Sequence, residues 1–150
     1  YSLDDIVKKS VRKFSTQFIG KKLSLDYKEL DTDVLTDEKW LSFIIEQLLS
    51  NAIKYTAKGS VSIYMKPDTD RKILCIADTG IGIDPADLPR IFDNGYTGLN
   101  GRYDMKASGI GLYLCRCIAD MLGITLTAVS ELGKGSVFML DLTESKIRHE

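Results

Sequence analysis

Glu46-Gln47-Leu48-Leu49-Ser50-Asn51-Ala52-Ile53-Lys54-Tyr55-Thr56 is a helical stretch with two distinct faces. Leu48, Leu49, Ala52 and Ile53 recur at helical spacing on the apolar one. Gln47, Asn51 and Lys54 or Tyr55 fall at i, i+4 and i+7 or i+8 and share the polar one. Two amides, an ammonium and a phenol suit phosphates and a hard cation. Amide oxygens can ligate magnesium, and a lysine is a point charge for phosphate. The same residues on a surface helix could equally be a solvated polar face. What lies downstream decides between the two. Asp78-Thr79-Gly80-Ile81-Gly82-Ile83, Ser108-Gly109-Ile110-Gly111-Leu112 and Gly133-Lys134-Gly135-Ser136 follow in order. Together with the helix they describe a nucleotide pocket under a glycine-hinged flap.

Working outward, the apolar face of this helix starts earlier, with Trp40, Leu41, Ile44 and Ile45, and Thr36 or Asp37 caps it. Leu3, Ile6, Val7, Val11, Phe14 and Phe18 predict an amphipathic helix over 3–19, stopped at Gly20. Residues 23–27 alternate like a strand, and Val34-Leu35-Thr36 reads as a short one. Residues 60–66 and 71–77 form a hairpin around Asp68-Thr69-Asp70. Its second run, Ile73-Leu74-Cys75-Ile76-Ala77, is apolar on both faces and so reads as a central strand. A short helix is expected over 85–91 behind Asp84. A second helix runs from Gly109 to Leu122, ended by Gly123. A last hairpin pairs 124–130 with 136–142. This order is not the regular strand–helix alternation of a doubly wound sheet. The expectation is an α+β sandwich: one mixed, mostly antiparallel sheet with about three helices packed on one face.

A chain of 150 residues fits one domain, and its core needs no staples. The formal net charge of −1 argues against a general nucleic-acid binder, which needs a basic excess. The three cysteines, Cys75, Cys115 and Cys117, form no CxxC pair, and buried reduced thiols are expected. One histidine, His149, is too few for a zinc site with them. No apolar run approaches the ~20 residues that cross a bilayer, and no signal-peptide pattern opens the chain. It starts mid-pattern at Tyr1-Ser2-Leu3, which suggests a domain of something larger.

Each cluster suggests a role. Asp78 ends the most buried strand and can accept a hydrogen bond from an exocyclic amine such as that of adenine, a contact worth about 1.5–3 kcal/mol. Gly80 and Gly82 let the backbone turn and approach a flat base; a plain Asp-Gly turn is the alternative, but Ile81 and Ile83 make it unusually apolar. Residues 93–108 form a long aperiodic loop of the kind used as a lid. Arg102 and Lys106 could reach triphosphate oxygens from it. Gly109 and Gly111 open a helix whose N–H groups can bind phosphate. No GxxxxGK[ST] and no dinucleotide fingerprint occurs. Gly133-Lys134-Gly135-Ser136 is most simply a hairpin turn, with the Ser136 hydroxyl beside the base pocket.

With these residues laid out, the chain resembles the catalytic, ATP-binding domain of bacterial sensor histidine kinases. That is the Bergerat fold, shared with type II topoisomerases, Hsp90-type chaperones and mismatch-repair ATPases. Residues 51–56 look like the N box, 78–83 the first glycine box, Ile91-Phe92-Asp93 the F box, and 108–112 and 133–136 the second and third glycine boxes. The resemblance implies that Asn51, with Gln47, ligates Mg2+ and that Lys54 and Arg102 act on the phosphates. It implies that Tyr55 lines the nucleotide and that Asp78 bonds the adenine amine. Ile83 and Leu112 would sandwich the ring and Phe92 would anchor the ATP lid. Thr97, Gly98, Lys106, Ser108, Gly109, Gly111 and Ser136 would complete the ATP site.

Two departures stand out. The first N-box asparagine is Gln47 here, and no phosphoacceptor helix is present, since His149 matches no H box. The implied partners are therefore a phosphoacceptor-histidine domain of the same kinase and a cognate response regulator. The stretch from Phe92 to Arg102 looks like a Gram-positive subgroup that works beside peptide-exporting ABC transporters. The implied setting is a cytoplasmic domain of a bacterial membrane sensor. A clamp-type ATPase of the same fold would need a glutamate where Gln47 stands. A non-catalytic nucleotide sensor is the third reading, to which Asn51, Asp78 and the glycines run counter.

Overall fold

The computed structural model describes residues 1–95 and 110–146. Among the described residues, four α-helices, α1 (Leu3–Arg12), α2 (Ser15–Lys21), α3 (Glu38–Lys54) and α4 (Ile110–Leu122), accompany five strands. The strands are β1 (Ser24–Tyr27), β2 (Ser60–Met65), β3 (Ile73–Asp78), β4 (Thr125–Glu131) and β5 (Gly135–Asp141). They form one sheet in the order β1-β2-β3-β5-β4, parallel only between β1 and β2. The mixed, mostly antiparallel α+β sheet is as expected, with β3 at its centre.

The core lies on one face of that sheet. Register puts Ile63, Ile76 and Phe138 in one cross-strand row and Leu74, Leu140 and Leu126 in the next. Both rows pack against the apolar side of α3, where Leu41, Ile44, Ile45, Leu48 and Leu49 are at most 1% exposed. Helix α3 lies between α1 and α4 and touches β3. It is capped by Asp37, whose side chain accepts from the Trp40 N–H. Trp40 itself is 39% exposed, so it is not on the buried face where the sequence put it.

Other boundaries shift for local reasons. The predicted helix over 3–19 breaks at Lys13-Phe14. Ser15 Oγ donates to the Arg12 carbonyl at 3.1 Å, taking an acceptor that a continuing helix would use. The second piece ends beyond Gly20, at Lys22 with φ of 57°. There the Leu23 N–H reaches back to Phe18 O and the Lys22 N–H to Ile19 O, a Schellman closure that turns Leu23 into the core. Val34 to Thr36 form no strand. The segment meets the chain start instead, through a Ser2–Asp33 bridge and two Tyr1–Val34 backbone bonds. The helix expected over 85–91 shrinks to one 3-10 turn, Leu88–Arg90, behind an Asp84 side chain that accepts from Ala86 N–H.

Cys75 and Cys115 are buried, and burial alone pushes the Cys115 thiol up to about 12, so it stays protonated and inert. Cys117 is exposed, against expectation, because a two-residue step on a helix carries it ~200° away from Cys115.

Candidate functional site

Asp78 occupies the last position of β3, on the same face as Leu74 and Ile76. The strand alternation that buries those two carries its carboxylate to the end of the helix layer. Burial pushes its pKa above the ordinary 3.8, and the backbone N–H groups of Gly80 and Ser136 oppose that shift. The Gly80 N–H donates to Asp78 Oδ1 at 2.9 Å. A half-buried carboxylate with so few donors has acceptor capacity to spare.

Four segments converge around it. The loop after β3 crosses the C-terminal end of α3, where the Ile81 N–H donates to Tyr55 O at 3.1 Å. A Cβ on Gly80 would lie 2.3 Å from Tyr55 O, 2.8 Å from Thr56 Oγ1 and 2.9 Å from Asp78 Oδ1. Gly80 is thus required by contact between loop and helix, a reason the sequence reading, which assigned it to base approach, did not contain. Gly82, at φ of 76°, would place a Cβ 2.3 Å from Glu131 O. The loop therefore also presses on the β4–β5 hairpin, and Gly133 N–H donates to Ile81 O at 2.7 Å.

The hairpin itself has the anticipated turn, with Lys134 N–H donating to Glu131 O and Gly133 at φ of 83°. Its register sets Ser136 opposite both Asp78 and Ser130. Ser136 is 6% exposed. The fourth segment is the start of α4. Gln47 Oε1 would lie 2.6 Å from a Cβ on Gly111, so the carboxamide sits against the N-terminal turn of that helix.

Of the remaining expected residues, Asn51 on α3 and Tyr55 at its C-cap are half-buried, and Lys54 is exposed with its ammonium 5.4 Å from the Tyr55 ring centroid. Ile83 and Leu112 are half-buried and pack on the core. Phe92 meets Phe138 edge-on at 6.2 Å and lies under the Arg116 guanidinium at 4.2 Å. Thr97, Gly98, Arg102, Lys106, Ser108 and Gly109 lie outside the described residues. A groove of about 460 Å³ between α1 and α3, lined by Trp40 and Phe43, contains none of the motif residues except Glu46.

Three contributors escaped the sequence reading. Thr56 stands in its motif without an assigned role, yet its hydroxyl is fully buried beside Gly80 and has no partner among the described residues. Arg116 stacks on Phe92 and donates to Leu126 O at 2.8 Å; an arginine inside a mostly apolar helix, whose other charged residue is Asp120, was the available signal. Ser130 was found only by register, counted outward from the hairpin turn.

Residues 36–146, most of the chain, match the family model described as histidine kinase-, DNA gyrase B-, and HSP90-like ATPase. The chain is similar to the sensor protein BceS of Halalkalibacterium halodurans, 38% identical over 139 residues, 93% of this chain and 42% of that protein. It is 41% identical over 125 residues to the sensor protein kinase GraS of Staphylococcus aureus strain MRSA252, 83% of this chain and 36% of that one. It thus spans about two-fifths of the length of these relatives. Full-length ShkA in complex with AMPPNP superposes with a TM-score of 0.82 at 23% identity, covering 97% of this chain and 31% of that one. The nucleotide-free catalytic domain of the histidine kinase ThkA superposes at 0.80 with 19% identity, covering 96% and 93%. At those identities the structural likeness is one of fold. The matched segment contains the helix, the carboxylate and the glycine turns that meet around Asp78, and on that ground the chain belongs to the histidine kinase-, DNA gyrase B- and HSP90-like ATPase family.

Proposed function

We propose that residues 1–150 are one catalytic domain that binds Mg-ATP and passes its γ-phosphate to a histidine on a separate dimerisation domain. The observation that carries this reading is the convergence on Asp78 of the α3 end, the Gly80–Gly82 loop and the β4–β5 hairpin. A half-buried acceptor at the base of such a junction suits an adenine amine, and the half-buried Ile83 and Leu112 suit the faces of its ring.

The donor set also fits magnesium. Neutral amide oxygens of Asn51 and Gln47 leave coordination positions for water and phosphate oxygens, as that ion prefers. When bound, magnesium neutralises charge on the phosphates. Lys54 contributes a point charge, and Arg102 and Lys106 are assigned to the same phosphates. Gly111 stands in the first turn of α4, at the anion-binding end of its dipole, and Gly109 is assigned to the same phosphates. Thr97, Gly98, Ser108 and Phe92 complete the lid and its anchor. Catalysis is then positioning and charge neutralisation, and the acid–base group sits beside the acceptor histidine. Gln47 cannot take a proton from water, which disfavours a hydrolytic clamp.

The finer setting extends the resemblance of 92–102 and the sensor-kinase character of the relatives: a bacterial membrane sensor with its response regulator, and an ABC transporter beside it. The domain itself stays outside the bilayer. Among the described residues no helix is long and apolar enough to cross a membrane.

The test is reconstitution. The chain, mixed with a separately produced histidine-bearing domain and Mg-ATP, should leave acid-labile, base-stable phosphate on the latter. ATP hydrolysis to free phosphate with no transfer to the acceptor would overturn the kinase reading.

A further inference from the structure

Ser130 sits on β4, one strand further from Asp78 than Ser136, in the cross-sheet row Val61–Asp78–Ser136–Ser130. Its hydroxyl makes three contacts. The Ile83 N–H donates to Ser130 Oγ at 2.8 Å, Gly135 O lies at 2.9 Å and Ser136 Oγ at 2.8 Å. A serine hydroxyl has one proton and two acceptor lone pairs. Gly135 O cannot donate, so that contact is a hydrogen bond only if Ser130 gives its proton there. The proton is then unavailable to Ser136. The 2.8 Å contact between the hydroxyls must be filled by Ser136 donating to Ser130. Every hydrogen-bonding position of Ser130 is thereby used, and Ser136 has spent its only proton away from Asp78.

The geometry points to Ser130 as the residue that sets base selectivity, by holding Ser136 as an acceptor beside the acceptor Asp78. Two neighbouring acceptors fit a 6-amino purine, whose amine has two N–H donors. They oppose a 6-oxo purine, whose carbonyl would meet lone pairs with no proton between. Ser130 touches no nucleotide in this arrangement and is a positioning residue: it fixes the Ile83 backbone under the base and the direction of the Ser136 proton. This inference rests on the nucleotide-binding reading above.

The experiment is a titration of the 150-residue chain with magnesium and either ATP or ITP, which differ at the 6-position. Wild type should prefer ATP. Ser130→Ala frees the Ser136 proton to swing toward a 6-oxo group, so the ATP-over-ITP preference should shrink by about fivefold, the factor of one ordinary hydrogen bond. Ser130→Thr, which keeps the hydroxyl, should restore it. A purely structural Ser130 would weaken both nucleotides equally and leave the ratio unmoved, and that result overturns the inference. If Ser130→Ala does not fold, Ser136→Ala decides, since the ratio must change when the acceptor itself is removed, and an unchanged ratio again overturns it. A wild-type chain that binds neither nucleotide removes the nucleotide reading, and this inference with it. ATP binding with an unresponsive ratio removes this inference alone.

Discussion

Asp4 and Asp78 are both carboxylates taken out of water by the same fold, and their surroundings are opposite. Asp4 stands in the first turn of α1 and is 9% exposed. It accepts from the Tyr27 hydroxyl, from Leu30 N–H at 2.9 Å and from Asp31 N–H at 3.0 Å. Burial raises its pKa, but these donors and the nearby Lys8 ammonium outweigh it and hold the carboxyl below 3.8. Asp78 also pays for burial, but the Gly80 and Ser136 N–H groups do not reverse the shift. One carboxylate is saturated and ties α1 to the loop after β1. Among the described residues the other meets only the two backbone N–H groups of Gly80 and Ser136 and retains acceptor capacity. The carboxylate oxygens of Asp4, Glu29 and Asp31 lie within 4.8 Å of one another, a cluster that could look like a cation site. Asp4 is already occupied by its donors and Glu29 is held by Lys8 at 2.8 Å, so the contacts read as structure.

The largest effect expected from this contrast is Asp4→Ala. It strands two backbone N–H groups and a phenol and should cost about 2–4 kcal/mol of stability. Thermal unfolding should shift down by on the order of 10 °C, while the folded fraction keeps its ATP affinity. A loss of ATP affinity in the folded fraction would erase the division of labour.

Asp78→Asn should do the reverse. It replaces an acceptor-only group with an amide and should weaken ATP binding by about 1.5–3 kcal/mol, measured by calorimetric titration. With no charge to desolvate, the free domain should melt higher than wild type. Acidification is the matching test. A raised folded pKa means that the Asp78 contribution to stability is present below the unfolded value and lost as pH rises through the folded one. Its carboxylate form, which the amine needs, is therefore lost above pH 3.8 as pH falls. The Asp4 contribution is present above the unfolded value and lost only as pH drops through a folded pKa below 3.8. Lowering the pH should thus abolish ATP binding before it removes the Asp4 contribution to the fold. Fluorescence of bound nucleotide and circular dichroism of the domain, followed in one titration, would show a single joint transition if this is wrong.

The smallest effect is Tyr27→Phe. It removes one of three donors to Asp4 at a half-exposed position where water can substitute, and should cost about 1 kcal/mol. Chemical denaturation should resolve that loss, and no change in ATP binding should accompany it.

Asp78 was legible in the sequence because it ends a run apolar on both faces, and a charged residue there must be buried with the strand. Asp4 was not, since Asp4 and Asp5 both look like first-turn acids facing a helix dipole. Which of them is buried depends on a loop twenty-odd residues later folding over α1. Likewise Trp40 matched the helical period of α3 but fell at the margin of its buried arc, which only the neighbouring helices define.

Period and turn chemistry are local, so most elements, the central place of β3, the hairpins and the carboxylate that closes β3 could be read from residue order alone. Proton direction, close backbone contact and register are relations between distant segments. That Gly80 must yield to Tyr55, that Gln47 rests on Gly111 and that Ser130 takes the Ser136 proton are decided where four segments meet. No local pattern encodes a hydrogen bond between strands until the sheet that aligns them has formed.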